Sequence, residues 1–589
     1  MRLFLVAWLI HTSTAQPAGR GEDHEGDSDP RVVQTVNGPV RGVYRDLFHH
    51  GLTWWGLRYA APPLGVRRWR PPEVYDEQWG PGSVKPAETI PPACLQLGGS
   101  ETKGQEDCLF LNVFAPREAK DLPVLVFFYG GGFVEGSSYE MGLYDGHHVS
   151  VRHQVLVVTL NYRLWSLGFM ALDALQAEAT AIGGGSTGNH GVQDQRLALQ
   201  WVQQNIRHFG GDPRRVTIFG ESAGAFSVMW HLVSPQSKGL FQAAIMESGT
   251  SDVSFFFQPL PQAKAYYEDL AERLQCPKSL GVWQLPCLRA LPAERLVEVE
   301  AGLDGQRPAV HSPLWPLMPN GPAIDGTESG LLDVPIELVR RGHFNKVPLL
   351  LGSNENGGSI FEPMLPMVLP GTELPVKRHP ETLQKALKYF FHENVSQVEA
   401  IYNLWEFPDG DVLIRRMIRD LMFMCPLRAL ATAWHQNQLN SYVYVFDFSY
   451  GLVSWLGLGD FHGSELPFVF RNWLELIKPI DLFQSPHRMS DIISCNWASF
   501  AYRQDPNGGN MSIPGCGSVH GHTLPWPQFE EGSRFFYSLK TQPEVHGIES
   551  KNRYPNDLFP RDEKCDLWDQ LARYMPWVYE TSSTPSLLV

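Results

Sequence analysis

Residues 215–224 read Arg-Val-Thr-Ile-Phe-Gly-Glu-Ser-Ala-Gly, so a short apolar run leads directly into a Gly-x-Ser-x-Gly motif. The residues that follow, 225–233, have the composition of an apolar helix. A serine at the tip of a sharp strand-to-helix turn needs small neighbours, and the strain of the turn holds its hydroxyl toward a substrate. Ser222 is therefore a candidate nucleophile. An ordinary glycine–serine turn is the alternative, and the flanking strand and helix patterns fit it poorly.

Four further apolar runs have the length of strands buried on both faces. They are residues 122–128, 154–161, 243–246 and 347–351. Residues 194–207 place apolar side chains at helical spacing between two of the runs. Strands that alternate with amphipathic helices predict an α/β fold with a mostly parallel central sheet flanked by helices. Residues 255–345 have a helical pattern broken by prolines, which predicts an insertion over the sheet.

A glycine-rich segment and a distant histidine complete the pattern of an acyl-transfer site. Residues 129–133 read Tyr-Gly-Gly-Gly-Phe and follow the run 122–128, where the α/β-hydrolase plan places part of its oxyanion hole. Glycines let backbone N–H groups approach a substrate, and these donors supply the largest electrostatic contribution in such catalysis. His462 lies in a loop beyond the apolar run 442–448 and is the candidate base, although spacing alone leaves other histidines open.

The composition is that of a globular, acidic protein. The chain has 589 residues, of which 43% are hydrophobic and 19% charged, with a net charge of −15. Nucleic acid is excluded because its phosphates need a basic face, and polybasic membrane adhesion is disfavoured. At about 150 residues per domain, the length suggests three or four domains. The motifs between residues 129 and 462 must meet at one site, which instead predicts one large domain over residues 31–575.

The two ends of the sequence predict processing and secretion. Residues 1–15 are typical of a signal peptide, with Arg2 in a positive start, an apolar stretch over 3–10 and small residues at 13–15. That stretch is too short to cross a bilayer, so we expect no stable membrane anchor. Residues 16–30 are predicted to be a disordered acidic lead-in and 576–589 a C-terminal tail. The expected location is extracellular.

The cysteines and sequons agree with that location. Eight cysteines are an even number, and in an oxidising compartment such a set forms disulfides. Eight cysteines allow 105 pairings, so their number alone does not assign the bridges, and free buried thiols are the alternative. Asn394 and Asn510 begin Asn-x-Ser/Thr sequons and are candidate glycosylation sites.

Several long motifs carry a family resemblance. Residues 209–224 resemble the serine signature of the type-B carboxylesterases, the cholinesterase/carboxylesterase family, and residues 106–116 resemble its second signature. Residues 188–206 are similar to the family's connecting helix, and residues 462–470 to its catalytic-histidine motif. The resemblance runs over residues 33–568 and implies the α/β-hydrolase fold, with helical insertions over the site.

The resemblance also implies roles for individual residues. Ser222 would be the acyl-forming nucleophile and His462 its base. The resemblance implies an oxyanion hole formed by the N–H groups of Gly131, Gly132 and Ala223. It also implies that Glu221 and Phe255 belong to the substrate pocket, with Phe255 near the aromatic wall that contacts the acyl group. The implied bridges are Cys94–Cys108, Cys276–Cys287 and Cys425–Cys565, and Cys495–Cys516 would be the remaining pair.

The position of the triad acid departs from the family. The family pattern is Gly-x-Asn-x-x-Glu-Gly, but residues 352–358 read Gly-Ser-Asn-Glu-Asn-Gly-Gly, so Gly357 stands where the acid belongs. The acid holds the imidazole in its productive tautomer, and its loss costs on the order of 10⁴-fold in kcat. Glu355 is the candidate substitute, another carboxylate such as Asp325 is an alternative, and a true loss is the third reading.

Two other departures concern the substrate and the packing. Only 13 residues separate Cys94 from Cys108, and none is aromatic. The matching cholinesterase loop is longer and carries the tryptophan that binds a quaternary ammonium group by cation–π attraction. A specialist for acetylcholine is therefore not expected. Trp165 stands where the family usually has glycine.

The residues predict a secreted serine esterase that hydrolyses small-molecule carboxylic esters through an acyl-enzyme intermediate, and no metal or organic cofactor is needed. The alternative is a catalytically impaired or non-catalytic relative used for binding or adhesion, which Gly357 favours. The intact Ser222, His462 and glycine segment favour the enzyme. The sequence leaves open whether C-terminal helices pair two subunits into a homodimer.

Overall fold

A computed structural model describes most of the chain between residues 29 and 579. The described residues are 29–46, 48–80, 82–249, 256–319, 321–402, 409–450, 457–472, 485–507, 513–517, 519, 524–547, 562–571 and 578–579. The predicted signal peptide, Phe255, Asn510 and most of the predicted tail lie outside these residues. Asn394 lies inside them and is half-buried.

Within the described residues, eleven strands form one mixed sheet. They are β1 (Val43–Tyr44), β2 (Gly51–Arg58), β3 (Phe110–Pro116), β4 (Leu122–Phe128), β5 (Leu156–Leu160), β6 (Gly211–Glu221), β7 (Ala243–Glu247), β8 (Leu349–Asn354), β9 (Ser441–Phe446), β10 (Phe536–Leu539) and β11 (Glu544–His546). Four small sheets comprise Val32–Thr35, Gly38–Arg41 and Lys85–Pro86; Gln96–Leu97 and Thr102–Lys103; Gln258–Pro259 and Ala323–Ile324; and Val310–His311 and Val578–Tyr579.

The centre of the large sheet is parallel, as predicted. From edge to edge the strands lie in the order β11, β10, β9, β8, β7, β6, β4, β5, β3, β2, β1. The seven strands from β10 to β5 in this order run parallel, and the remaining pairs are antiparallel. The carboxyl ends of β4, β6, β7 and β8 therefore meet at one edge, where ligands bind in open α/β sheets.

Helices pack on the sheet and form the insertions. They are α1 (His147–His153), α2 (Trp165–Phe169), α3 (Asp173–Ala181), α4 (His190–Asn205), α5 (Ala223–Val233), α6 (Leu260–Arg273), α7 (Gln284–Ala290), α8 (Ala293–Glu300), α9 (Pro335–Arg340), α10 (Leu365–Val368), α11 (Pro380–Phe391), α12 (Val395–Ile401), α13 (Gly410–Arg419), α14 (Cys425–Gln436), α15 (Leu466–Val469), α16 (Ser485–Arg503) and α17 (Asp562–Leu571). A π-helical turn, Asp420–Met424, joins α13 to α14.

The predicted strands differ from the observed ones mainly at their ends. The predicted strand 122–128 begins and ends at the same residues as β4, because every side chain after Leu122 is buried. The run 347–351 is displaced, and β8 extends to Asn354 with Gly352 opposite Tyr444. Strands are paired through backbone hydrogen bonds, which do not depend on an apolar side chain. Gly352, Ser353 and Asn354 therefore belong to the strand, although the apolar run ends at Leu351.

Four disulfides hold peripheral segments to the core. They are Cys94–Cys108, Cys276–Cys287, Cys425–Cys565 and Cys495–Cys516, the pairs named from the resemblance and the remaining two cysteines. Cys425–Cys565 spans 140 residues and ties α17 to α14. In the described part of the chain, no helix is both long and apolar enough to cross a bilayer.

Candidate active site

Ser222 occupies a strained turn between β6 and α5. Its backbone has φ 56° and ψ −124°, a conformation that a non-glycine residue rarely adopts and that costs on the order of 1–3 kcal/mol. The backbone is packed so closely that a Cβ on Gly224 would lie 1.9 Å from the Phe128 carbonyl oxygen. The Ser222 N–H donates to the Glu247 carbonyl at 2.9 Å, which fixes the turn against β7. The geometry is that of a nucleophile elbow.

The glycine-rich segment after β4 lies directly against this turn. A Cβ on Gly130 would come within 3.0 Å of the Ser222 Cβ. Gly131 and Gly132 have positive φ values of 102° and 60°, which glycine adopts without strain. Within the described residues, no protein carbonyl accepts from the N–H groups of Gly131, Gly132 or Ala223. These donors are thus available to an oxygen bound beside Ser222.

His462 lies beside Glu221, the residue before Ser222, and packs against two aromatic rings. Its imidazole stacks on Phe423, with ring centroids 4.6 Å apart, and tilts against Phe361 at 5.3 Å. Its Nε2 is 3.1 Å from Glu221 Oε1. Burial lowers the pKa of His462 to about 3, so the ring is neutral near pH 7 and can accept a proton. Among the described residues, neither ring nitrogen has a hydrogen-bond partner, so the 3.1 Å approach of Nε2 to Glu221 lacks hydrogen-bond geometry.

The loop that carries Gly357 is joined to the loop that carries His462. Asn354 Nδ2 donates to the Phe461 carbonyl at 2.7 Å, and Asn356 Nδ2 donates to Asp460 Oδ1 at 2.6 Å. A Cβ on Gly357 would meet its nearest neighbour, the Asn354 carbonyl oxygen, at 3.2 Å and Phe423 at 3.7 Å. A side chain at position 357 would therefore be tight against the Asn354 carbonyl at its base and would begin beside the ring that stacks on His462.

Glu355, the candidate acid, is bound to two arginines of α13. Its Oε1 lies 2.5 Å from Arg416 Nη1, and its Oε2 accepts from Arg419 Nη1 at 2.7 Å. All three side chains are largely buried, and Arg419 also pairs with Asp420 at 2.5 Å. Both carboxylate oxygens thus face guanidinium groups, and the structure does not bring Glu355 onto His462.

Asp325, the alternative acid, holds a loop. One of its oxygens accepts from the Thr187 N–H at 3.1 Å and the other from the Leu331 N–H at 3.0 Å. Its side chain therefore closes a turn in the described structure.

Sequence reasoning named Glu221 only as a pocket residue and did not predict that it interacts with two other buried carboxyls, Glu247 and Glu465. Glu221, Glu247 and Glu465 interact electrostatically, and burial raises the pKa of each, that of Glu465 to about 7. Glu247 Oε1 accepts from Trp497 Nε1 at 2.9 Å, and Glu465 Oε2 accepts from Asn354 Nδ2 at 2.5 Å. The detectable signal was Glu247, a charged residue that ends a strand buried along its whole length.

Comparison with known proteins agrees with this geometry. Residues 29–568 match the profile described as the Carboxylesterase family. The chain belongs to the carboxylesterase family. This confirms the resemblance drawn from the motifs and identifies the chain as a carboxylic ester hydrolase.

Individual relatives cover nearly the whole carboxylesterase chain. Acetylcholinesterase of Electrophorus electricus is 30% identical over 98% of this chain and 91% of its own length. Cholinesterase of Mus musculus is 31% identical over 91% of this chain and 86% of its own length. The solved structure of a PNB esterase superposes with a TM-score of 0.70 at 30% identity, covering 90% of this chain and all of that one. The α/β-hydrolase fold is thereby confirmed.

Proposed function

We propose that this carboxylesterase is a secreted serine esterase that forms an acyl-enzyme intermediate on Ser222, with His462 as the base. The observation that carries the proposal is the strained Ser222 turn, which packs against Gly130 and follows Glu221, whose carboxyl oxygen lies 3.1 Å from His462 Nε2. A strained serine beside unpaired backbone N–H donors is an arrangement suited to acyl transfer.

The proposed reaction has two halves. Ser222 Oγ attacks the ester carbonyl carbon while His462 Nε2 takes the hydroxyl proton, and the carbonyl oxygen becomes an oxyanion held by the N–H groups of Gly131, Gly132 and Ala223. The C–O bond to the alcohol then breaks, and His462 gives the proton to the departing alkoxide. A water molecule repeats the sequence on the acyl-enzyme and releases the carboxylic acid and free Ser222.

The Glu221 contact sets a condition on the first step. His462 Nε2 lies 3.1 Å from Glu221 Oε1, and the same nitrogen must receive the proton of Ser222. Nε2 and Glu221 Oε1 are not hydrogen-bonded, so the proposed step requires only that the imidazole orient Nε2 toward Ser222 Oγ. Catalytic hydrogen bonds are often long before substrate binds and shorten in the complex.

Among the described residues, no carboxylate is hydrogen-bonded to His462 Nδ1. Glu355 would serve His462 Nδ1 only by exchanging its contacts with Arg416 and Arg419 for a contact with the imidazole. Without that exchange, Ser222, His462 and the oxyanion donors form a site without an acid, which retains part of the activity because triad contributions are not additive.

Secretion is proposed from the sequence of the leader and from the cysteines. All eight cysteines are paired in the structure, and such pairing is stable in extracellular compartments. Asn394 and Asn510 are proposed glycosylation sites in that setting, and treatment with an endoglycosidase would test both.

A covalent probe tests the proposed chemistry. The secreted protein would be treated with a fluorophosphonate, and the adduct located by mass spectrometry, while turnover of p-nitrophenyl acetate and butyrate is measured. We expect the adduct on Ser222 and loss of turnover in Ser222→Ala. Labelling elsewhere, together with full turnover in Ser222→Ala, would refute Ser222 as the nucleophile.

A further inference from the structure

A cavity with a charged and aromatic lining lies far from Ser222, beside the small sheet that contains Lys85–Pro86. Residues of that sheet, of β2 and of α4 enclose it, and its volume is about 190 Å³. In the large sheet β2 lies four strand positions from β6, which at about 4.8 Å per strand is a lateral displacement of about 19 Å from the Ser222 turn. The lining includes Asn37, Arg58, Tyr75, Trp79, Lys85 and Phe110.

Two cations of the lining rest on aromatic rings. The Arg58 guanidinium carbon lies 4.2 Å from the centroid of the Phe110 ring and 5.6 Å from that of Tyr75. Lys85 Nζ lies 4.4 Å from the centroid of the Trp79 ring. Attraction to the ring faces holds both cations at the wall of the cavity. No aspartate or glutamate is among the described residues that line it, so the lining favours an anion.

The Lys85 ammonium keeps hydrogen-bonding capacity for such an anion, whereas Arg58 is engaged. Arg58 donates through both terminal nitrogens to Asp107 at 2.6 and 2.9 Å. Among the described residues, Lys85 Nζ has the Tyr75 hydroxyl at 3.5 Å and Glu77 Oε1 at 3.7 Å. Both distances exceed the roughly 2.7–2.9 Å of a charge-assisted hydrogen bond. The carboxylate of Glu77 instead accepts from the Tyr75 hydroxyl, so the ammonium is available to a ligand.

Asn37 provides a buried acceptor in the same cavity. Its side chain is 4% exposed, and its Nδ2 donates to the carbonyl oxygens of Tyr75 and Glu77 at 2.9 and 3.2 Å. These two bonds fix the orientation of the amide. Within the described structure, no donor reaches Asn37 Oδ1. A buried acceptor without a partner costs free energy, which a ligand that donates an O–H or N–H would recover.

The volume of the cavity and its rings select a small aromatic ligand. An engineered cavity of about 150 Å³ holds benzene, so about 190 Å³ holds a ring with one or two short substituents. Aromatic side chains such as Tyr75 and Trp79 pack favourably against another ring. We propose that this cavity binds a small aromatic carboxylate that carries a hydroxyl or amino group. The carboxylate accepts from Lys85 Nζ, and the hydroxyl or amino group donates to Asn37 Oδ1.

Ligand-observed NMR tests this binding site. Saturation transfer from the full-length secreted protein to 3- and 4-hydroxybenzoate would be titrated, with benzoate and phenol as comparisons. For ligands of this size we expect a dissociation constant on the order of 0.1–1 mM for the better hydroxybenzoate. Loss of the carboxylate in phenol should weaken binding at least tenfold, and loss of the hydroxyl in benzoate about threefold. Absence of binding by both hydroxybenzoates, or equal binding by phenol, overturns the proposal.

Variants at position 85 locate the ligand. Lys85→Gln should weaken binding of the hydroxybenzoate at least tenfold, whereas Lys85→Arg, which keeps the charge, should bind within about threefold of the parent. Lys238→Gln, which removes an exposed lysine elsewhere on the surface, is the matched control and should equal the parent. Thermal unfolding verifies that each variant folds. Unchanged binding in folded Lys85→Gln overturns the assignment to this cavity.

Two further measurements separate this site from Ser222 chemistry, on which it does not depend. Ser222→Ala and the fluorophosphonate-treated protein should bind the hydroxybenzoate as the parent does, and Lys85→Gln should turn over p-nitrophenyl acetate at the parent rate. Retained binding in Ser222→Ala supports the cavity even if the esterase proposal fails. Binding that disappears in Ser222→Ala places the ligand at the candidate active site and overturns the inference. Inorganic phosphate that displaces the hydroxybenzoate at an equal concentration contradicts an aromatic ligand.

Discussion

Gly357→Glu should increase the esterase activity of this protein. The change places a carboxylate at the position where the family carries its acid. The φ of Gly357 is not positive, so a side chain brings no backbone strain there, although the Asn354 carbonyl oxygen, 3.2 Å from a Cβ, must move by a few tenths of an ångström. The new side chain would start 3.7 Å from Phe423, the ring that stacks on His462.

The size of the gain follows from the burial of His462. Burial lowers the pKa of the imidazole from 6.5 to about 3, and each pKa unit corresponds to about 1.4 kcal/mol. Proton transfer to this ring is therefore about 5 kcal/mol less favourable than in water. A carboxylate on Nδ1 that raised the pKa to about 5 would recover about 3 kcal/mol, roughly a hundredfold in kcat. The upper bound is on the order of 10⁴-fold.

The assay compares Gly357→Glu with Gly357→Gln, which has the same shape without the charge. Values of kcat for p-nitrophenyl acetate and rates of fluorophosphonate labelling would be measured for both variants and the parent, each verified by thermal unfolding. We expect both rates to rise only in Gly357→Glu. Equal rates in two folded variants would refute the view that a missing carboxylate limits His462.

Three further outcomes are expected. Glu355→Gln should lower the free energy of unfolding in urea by about 1–3 kcal/mol, because Arg416 loses its ion-pair partner while Arg419 keeps its pair with Asp420; an unchanged kcat in the folded variant would exclude Glu355 as the acid. Gly224→Ala should reduce kcat at least a hundredfold by displacing the Ser222 turn, whereas Gly80→Ala, where a Cβ meets nothing within 4 Å, should equal the parent. With neutral His462 as the proposed base and burial lowering its pKa to about 3, kcat/KM should stay level from pH 8 to about pH 5; a fall centred near pH 6.5 would contradict a buried imidazole.

The sequence predicted the parts of the site that depend on local pattern. The apolar run 122–128 predicted β4, because a strand buried on both faces is apolar throughout. The glycine spacing predicted the sharp turn at Ser222, because the backbone at Gly224 is packed too closely to leave room for a side chain. The arginines that hold Glu355 could not be predicted, since Arg419 is 64 residues away and meets it only through tertiary packing. Phe423 was missed for the same reason, because an apolar residue in a helix gives no sign that it will stack on the His462 ring.

The loop that carries Gly357 is bound to the loop that carries His462 by the side chains of Asn354 and Asn356. These contacts do not involve the residue at position 357. Removing a carboxylate from position 357 therefore leaves the scaffold around His462 in place. Because a single base change converts the glycine codons GGA and GGG into glutamate codons, a lineage can pass between the two states in one mutational step. Catalytic rate is thus an evolutionarily adjustable property of this chain that can change while the fold is preserved.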